Sequence, residues 1–279
     1  MKNHVLMLSI FYFFLSCEQK PQQSKQLING LTVEKKLFLE RININNEPQN
    51  IDFLLDSAKI DLIDLVLFCR QSKNEAHQIG LIQAVCAGMQ NNLETRNEEY
   101  WAGILYDLTR FCENVQILKT DKQKVFMDVG AGNGEKLFTA LCLGFEQAVG
   151  IEYSADLVPI ATQNLNALVK SQQIQIIHQD AFQVLPQTYA NADFIYLYSP
   201  IKDNQTMAKL TYQILQQMKN GTVLLEVRFV YGEELAQLSA WEIPNMAGLF
   251  AIKKQENEFY YADYDHHQTK WIKIRPKNE

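Results

Sequence analysis

The stretch Val125-Phe126-Met127-Asp128-Val129-Gly130-Ala131-Gly132-Asn133-Gly134-Glu135-Lys136-Leu137, VFMDVGAGNGEKL, decides the fold. A short apolar run ending in an acid, then alternating glycines, then a helical pattern, reads as a strand, a tight turn and a helix N-terminus. That geometry usually binds a nucleotide-like cofactor, because the turn and the helix start offer backbone N–H groups to a ligand. A dinucleotide fold would need GxGxxG, whose third glycine lets helix and strand pack closely. Here Gly130, Gly132 and Gly134 are spaced GxGxG, and the required third glycine falls on Glu135 or on Leu137. The dinucleotide fingerprint fails in both registers.

Outward from this loop, short apolar runs alternate with helical segments. The pattern predicts strands at about 125–129, 147–151, 174–178, 193–198 and 222–229, with helices at about 134–143, 155–170 and 203–219. Strands alternating with helices imply parallel pairing, hence an α/β fold with a doubly wound, mostly parallel sheet. The segments LFAIKK, EFYYADY and KWIKI near the end suggest two or three further strands, partly antiparallel. Before the loop, Ile51–Arg70, Glu75–Leu93 and Asn97–Val115 repeat apolar residues at helical spacing, and LTVEKKLFLERINI reads as short strand-like pieces. The organisation expected is therefore an apolar N-terminus over 1–17, a tether with irregular or strand structure over 18–47, a helical region over 48–120 and a Rossmann-like domain over 121–279.

The spacing from Asp128 to Gly134 resembles the first motif of class I S-adenosylmethionine-dependent methyltransferases, D/E-x-G-x-G-x-G. The resemblance implies that Gly130, Gly132 and Gly134 let the backbone approach the methionine part of S-adenosylmethionine. Asp128 would act through the loop's hydrogen bonds or on the cofactor ammonium. The family places an acid at the end of the next strand, where two carboxylate oxygens can accept two ribose hydroxyls, and Glu152 stands there. After the third strand, Asp180 and Phe182 match the acid and apolar residue that meet the adenine amine and ring. Three acids at successive strand ends after such a loop make coincidence a poor explanation.

The fourth strand ends in Tyr198-Ser199-Pro200-Ile201, where this family puts substrate-facing residues, so Tyr198, Ser199 and Pro200 are the expected catalytic positions. Members acting on adenine or glutamine nitrogens typically carry N/D-P-P-Y/F there, and the departure from it speaks against those acceptors. Period-two alternation puts Phe194, Tyr196 and Tyr198 on one face and Ile195 and Leu197 on the other. Asp203, Glu226 and Arg228 lie near strand ends, and solvated or ion-paired roles suit them best. Methyl transfer from a sulfonium is an in-line displacement, so alignment and removal of water are the main demands.

A net charge of −6 argues against a general nucleic-acid binder, so the acceptor, which the sequence does not specify, is expected to be a small molecule, protein or lipid sooner than RNA. Cys69, Cys86, Cys112 and Cys142 show no CxxC spacing and sit in apolar helical patterns, which predicts buried thiols. The run Asp263-Tyr264-Asp265-His266-His267 carries metal-capable groups, but strand neighbours point to opposite faces and no metal site is expected. Tyr100-Trp101 could cover the cofactor cleft.

The N-terminus, MKNHVLMLSIFYFFLSC, combines Lys2 with an apolar run too short to span a bilayer, and resembles a bacterial lipoprotein signal ending at Cys17. Such a signal implies a membrane tether and sits awkwardly with a cofactor made in the cytoplasm. The competing reading is a membrane-tethered binding protein with a methyltransferase-like fold and no catalysis.

Overall fold

The computed structural model describes residues 31–42, 55–91, 107–244, 248–265 and 268–277. The signal-like segment with Cys17, the pair Tyr100-Trp101, and His266 and His267 lie outside the described residues. The chain forms two units, Met1–Ile42 and Asn43–Glu279. In the first, helix α1 (Val33–Arg41) corrects the expectation of strand-like pieces. The Thr32 hydroxyl accepts from the Lys35 N–H, Glu34 sits in the first turn and Arg41 in the last, so cap and end charges both favour a helix.

The second unit is built on β1 (Val125–Val129), β2 (Gln147–Glu152), β3 (Ile174–His178), β4 (Phe194–Leu197), β5 (Val223–Phe229), β6 (Gly248–Gln255), β7 (Glu258–Asp265) and β8 (Gln268–Lys273). They form one sheet in the order β3-β2-β1-β4-β5-β6-β7-β8. The first five strands pair in parallel, as alternation with helices predicts. β6, β7 and β8 are all antiparallel, and a two-residue turn at Glu256 and Asn257 joins β6 to β7. The strand order reverses between β1 and β4, so the crevice beyond their carboxyl ends is where an open α/β sheet takes a ligand.

The two faces of the sheet follow the alternation read from the sequence. Phe126, Phe194 and Tyr196 share one face with Phe145, and Phe111 of helix α4 (Leu108–Leu118) meets Tyr196 edge-on with ring centroids 5.0 Å apart. Met127, Val129, Ile151, Ile195 and Leu197 face the other way, against Met207, Leu210 and Ile214 of helix α9 (Asn204–Gln217). Each such buried side chain contributes roughly 1.5–3 kcal/mol of transfer free energy, set against the entropy of ordering it.

Helices α2 (Leu62–Gln71) and α3 (Glu75–Gly88) pack on α5 (Glu135–Cys142), the helix that follows the glycine loop. Their ends are joined by side chains. The Arg70 guanidinium donates to the carbonyls of Leu141, at 2.8 Å, and Phe145, while the Gln78 amide donates to the carbonyls of Cys69 and Cys142 at 3.0 and 3.1 Å. Carbonyls left over at two helix C-termini are thereby satisfied in the interior. Cys69, Cys86, Cys112 and Cys142 are free and buried, and burial pushes the Cys112 thiol up to about 12.

The helix expected over Ile51–Arg70 is interrupted at a turn, with Lys59 at φ +53°, and restarts as α2 because Asp61 and Asp64 form a reciprocal capping box. The helix expected over 155–170 divides at Leu165 into α6 (Leu157–Asn164) and α7 (Asn166–Lys170). One short helix went unanticipated, α8 (Pro186–Asn191), although Pro186 at its first turn is the usual start signal. Among the described residues no helix is long and apolar enough to cross a membrane.

Glu226 points into the core and is fully buried. Its partner is the Thr211 hydroxyl at 3.2 Å, which lies 3.0 Å from the Tyr231 hydroxyl. With Thr211 donating to Glu226, Tyr231 donates to Thr211, and among the described residues no cation enters the chain of bonds. Burial therefore holds the Glu226 carboxyl well above its ordinary 4.5, and the Thr211 bond only partly opposes this. A pKa raised on folding gives stability that is complete below the ordinary value and lost as pH rises through the folded value. Glu226→Gln is expected to gain Tm relative to the parent protein between pH 5 and pH 8, the gap widening with pH; thermal melts of both across that range check it.

Candidate active site

β1 ends at the switch point, and the glycine loop that follows crosses the end of β2. The Gly130 and Ala131 N–H groups donate to the Ile151 carbonyl at 2.8 and 3.1 Å, and the Gly132 N–H donates to Glu152 Oε2 at 2.7 Å. The other carboxylate oxygen of Glu152 accepts from the Ser154 N–H at 2.7 Å. Glu152 is 6% exposed, and each of its oxygens keeps acceptor capacity beyond its one backbone donor.

Gly132 and Gly134 differ in what surrounds them. A Cβ on Gly134, at φ +88°, would stand 2.4 Å from Leu165 Cδ1, because α6 and α7 close tightly over the start of α5. A Cβ on Gly132, at φ +56°, would meet nothing within 4 Å. The backbone thus presents an open cradle at Gly132 with the Glu152 carboxylate beside it, which fits a ligand that brings a ribose hydroxyl to the acid and its chain along the loop. Asn164, the last residue of α6, secures this loop: its amide donates to the Asn133 and Gln90 carbonyls, each at 3.0 Å, and accepts from the Gln90 N–H.

Beneath the loop lies Asp128, 4% exposed. Burial pushes its carboxyl up to about 8; Lys136 opposes the shift, while Glu152 and Glu135 add to it. Glu135 and Lys136, in the first turn of α5, are buried to a similar degree and form an ion pair with each other. Lys136 is thus paired with Glu135 and acts on Asp128, whose carboxyl also feels the charges of Glu135 and Glu152.

At the end of β3, Asp180 Oδ1 accepts from the Phe182 N–H at 2.9 Å, an Asx turn that fixes the carboxylate and sets the half-buried Phe182 beside it. The Tyr189 hydroxyl holds the Ala181 carbonyl at 2.7 Å, so the turn is braced from α8.

Tyr198 and Pro200 are half-buried at the carboxyl edge, and Pro200 Cβ lies 3.2 Å from where a Cβ on Gly130 would be. Ser199 is 6% exposed, and its hydroxyl donates to the carbonyls of Val227 and Arg228, at 3.1 and 3.0 Å, so it ties β4 to β5. Ser199 and Arg228 both adopt left-handed φ, +32° and +60°, Arg228 at the bulge where the β5–β6 register shifts. Asp203 is the N-cap of α9, bonded to the Thr206 N–H and hydroxyl, and Glu226 belongs to the core. Glu135, Lys136 and Asn164 lie beside the loop and escaped sequence reasoning; opposite charges at the first two positions after Gly134 were the available signal for the pair. A groove of about 750 Å³ lies elsewhere, along helix α10 (Gly232–Ser239) and residues 242–244.

The strand order, the glycine loop and the acids closing β1 and β2 define a class I S-adenosylmethionine-dependent methyltransferase. Residues 114–262 match the model of the family described as conserved hypothetical protein 95, and the chain belongs to that family. Among solved structures, the chain is similar to an RNA methyltransferase from Salinibacter ruber in complex with S-adenosyl-L-homocysteine, with 17% identity, 60% of this chain and 100% of that one covered, and a TM-score of 0.44. It is also similar to a precorrin-6y C5,15-methyltransferase from Geobacter metallireducens, with 9% identity, coverage of 67% and 90%, and a TM-score of 0.43. A third likeness is to a methyltransferase from Thiobacillus denitrificans in complex with S-adenosyl-L-homocysteine, with 20% identity, coverage of 43% of this chain and 46% of that one, and a TM-score of 0.35. No curated protein matches the chain in sequence.

The two glycines predict opposite phenotypes. Gly134→Ala combines a left-handed backbone with the Leu165 clash and is expected to cost about 2–5 kcal/mol of stability. Gly132→Ala carries only the backbone strain, about 1–2 kcal/mol, yet fills the cradle, so it should stay folded and lose S-adenosylmethionine affinity. Denaturant melts and calorimetric titration of both variants separate the two effects.

Proposed function

We propose that this chain transfers the methyl group of S-adenosylmethionine to an acceptor entering over Tyr198 and Pro200, at the carboxyl edge of β4. The observation that carries the reading is the Glu152 carboxylate, oriented by the Gly132 and Ser154 N–H groups beside the open cradle at Gly132. When bound, S-adenosylmethionine supplies an electrophilic methyl on a sulfonium. Every other task falls to the chain.

Glu152 receives the ribose hydroxyls on the acceptor capacity its backbone bonds leave. Asp128 faces the ammonium end of the cofactor, and the cation draws its carboxyl toward the ionised form that burial disfavours. Asp180 and Phe182 take the adenine amine and ring. Pro200, packed against Gly130, and the half-buried Tyr198 form the wall that orients the acceptor and excludes water. The Ser199 bond to β5 holds that wall rigid. The sequence charge of −6 supports a small molecule, protein or lipid over nucleic acid as acceptor.

Calorimetric titration with S-adenosylmethionine and S-adenosylhomocysteine tests the reading. The unmodified protein is expected to bind both, and Glu152→Ala to weaken binding by at least about tenfold, the loss of charge-assisted hydrogen bonds. Asp128→Asn should weaken binding to a similar degree while leaving folding stability equal or higher above pH 8, because the neutral amide removes a buried charge. Failure of the unmodified protein to bind either compound overturns the proposal.

A further inference from the structure

Asp128 and Glu152 are accounted for by the cofactor reading above, on which this inference rests; the buried Glu135–Lys136 pair beside them is not. Lys136 is 7% exposed at the first turn of α5. A helix N-terminus carries a positive end, which disfavours a lysine, and burial adds a desolvation cost. A buried ion pair against an apolar pair of the same size is at best even in stability, so the fold alone gives little reason for a cation here.

The ligand gives one. The amino-acid end of S-adenosylmethionine holds an ammonium and a carboxylate on the same carbon. Asp128, Glu135 and Glu152 together attract the ammonium and the sulfonium but repel the carboxylate. Lys136 is the buried cation among them, paired with Glu135 and close enough to Asp128 to act on it. The positive end of α5 points the same way.

We infer that Lys136 receives the α-carboxylate of the cofactor while Asp128 and Glu135 face its ammonium, so that loading exchanges the Glu135–Lys136 pair for an alternation of charge between chain and ligand. The chain thereby selects a complete amino-acid end and discriminates against cationic adenosyl compounds that lack the carboxylate.

Decarboxylated S-adenosylmethionine is the probe, since it keeps adenosine, sulfonium and ammonium and is favoured by the plain attraction of the carboxylates. Calorimetric titration compares it with S-adenosylmethionine on the full-length protein and on Lys136→Met, Lys136→Arg and the double variant Glu135→Gln/Lys136→Met, which leaves no unpaired buried charge. Thermal melts establish that each variant folds. The unmodified protein should prefer the complete cofactor by at least about tenfold. Lys136→Arg should retain part of that preference, and Lys136→Met and the double variant should lose or invert it. The same preference in a folded variant lacking Lys136, or no preference in the unmodified protein, overturns the inference. Binding of neither compound by the unmodified protein overturns the cofactor reading itself, and is told apart by the absence of any heat.

Discussion

The crossing of the glycine loop over the end of β2 is the contact on which the site depends. One carbonyl, that of Ile151, accepts from both Gly130 and Ala131, and the next residue along β2, Glu152, accepts from Gly132. Successive N–H groups of the loop are thus matched to successive acceptors of the neighbouring strand, which makes β1 and β2 a single rigid corner. Left-handed φ values at Gly130, Gly132 and Gly134 are what the crossing requires of the backbone. Once the corner is set, α5 must start where it does and Leu165 closes over it. Pro200 comes to rest on the far side, across the switch point.

Much of this was legible in a single sequence because the signals are local. Glycines at fixed spacing, an acid at a strand end and alternating apolar residues each declare themselves within a few residues, and β1 to β5 fall within about a residue of the expected spans. What was hidden is what depends on distant contacts. Ser199 stands at the end of β4, and nothing local announces that its hydroxyl meets carbonyls 28 and 29 positions away. The burial of Lys136 is equally invisible in the sequence, because it arises where α2 and α3 pack on α5. Asn164 falls inside the helix expected over 155–170, and its tie to Gln90 spans 74 positions. The α1 segment misled for another reason: its clustered apolar residues fit a strand as well as a helix turn, and only the Thr32 cap separates them.

The N-terminal helices are more than a cover for the sheet. Arg70 and Gln78 bind the C-terminal end of α5 to α2 and α3, and Asn164 binds the residue just beyond α3 to the loop at the other end of α5. The helix that carries Glu135 and Lys136 is therefore held at both ends by the same helical layer. Loss of register in that layer would move the charged side chains relative to Asp128. The helical region and the sheet accordingly belong to one unit in which the site is shared.

Two buried carboxyls, Asp128 and Glu226, show how the same desolvation serves different ends. Glu226 is partnered by the neutral Thr211 hydroxyl, and burial holds its carboxyl well above the ordinary range. Asp128 has Lys136 pulling toward the ionised form, with Glu152 and Glu135 pushing against it, and its carboxyl titrates at about 8. Burial is the larger effect at Asp128, and a cation placed beside the loop would add to the pull of Lys136 toward the ionised form. A site that binds a cation gains from a carboxyl held close to its titration point, because the ligand then completes an ionisation that burial alone resists. The two carboxyls thus differ in their surroundings: charged groups act on Asp128, whereas the bonded partner of Glu226 is a neutral hydroxyl.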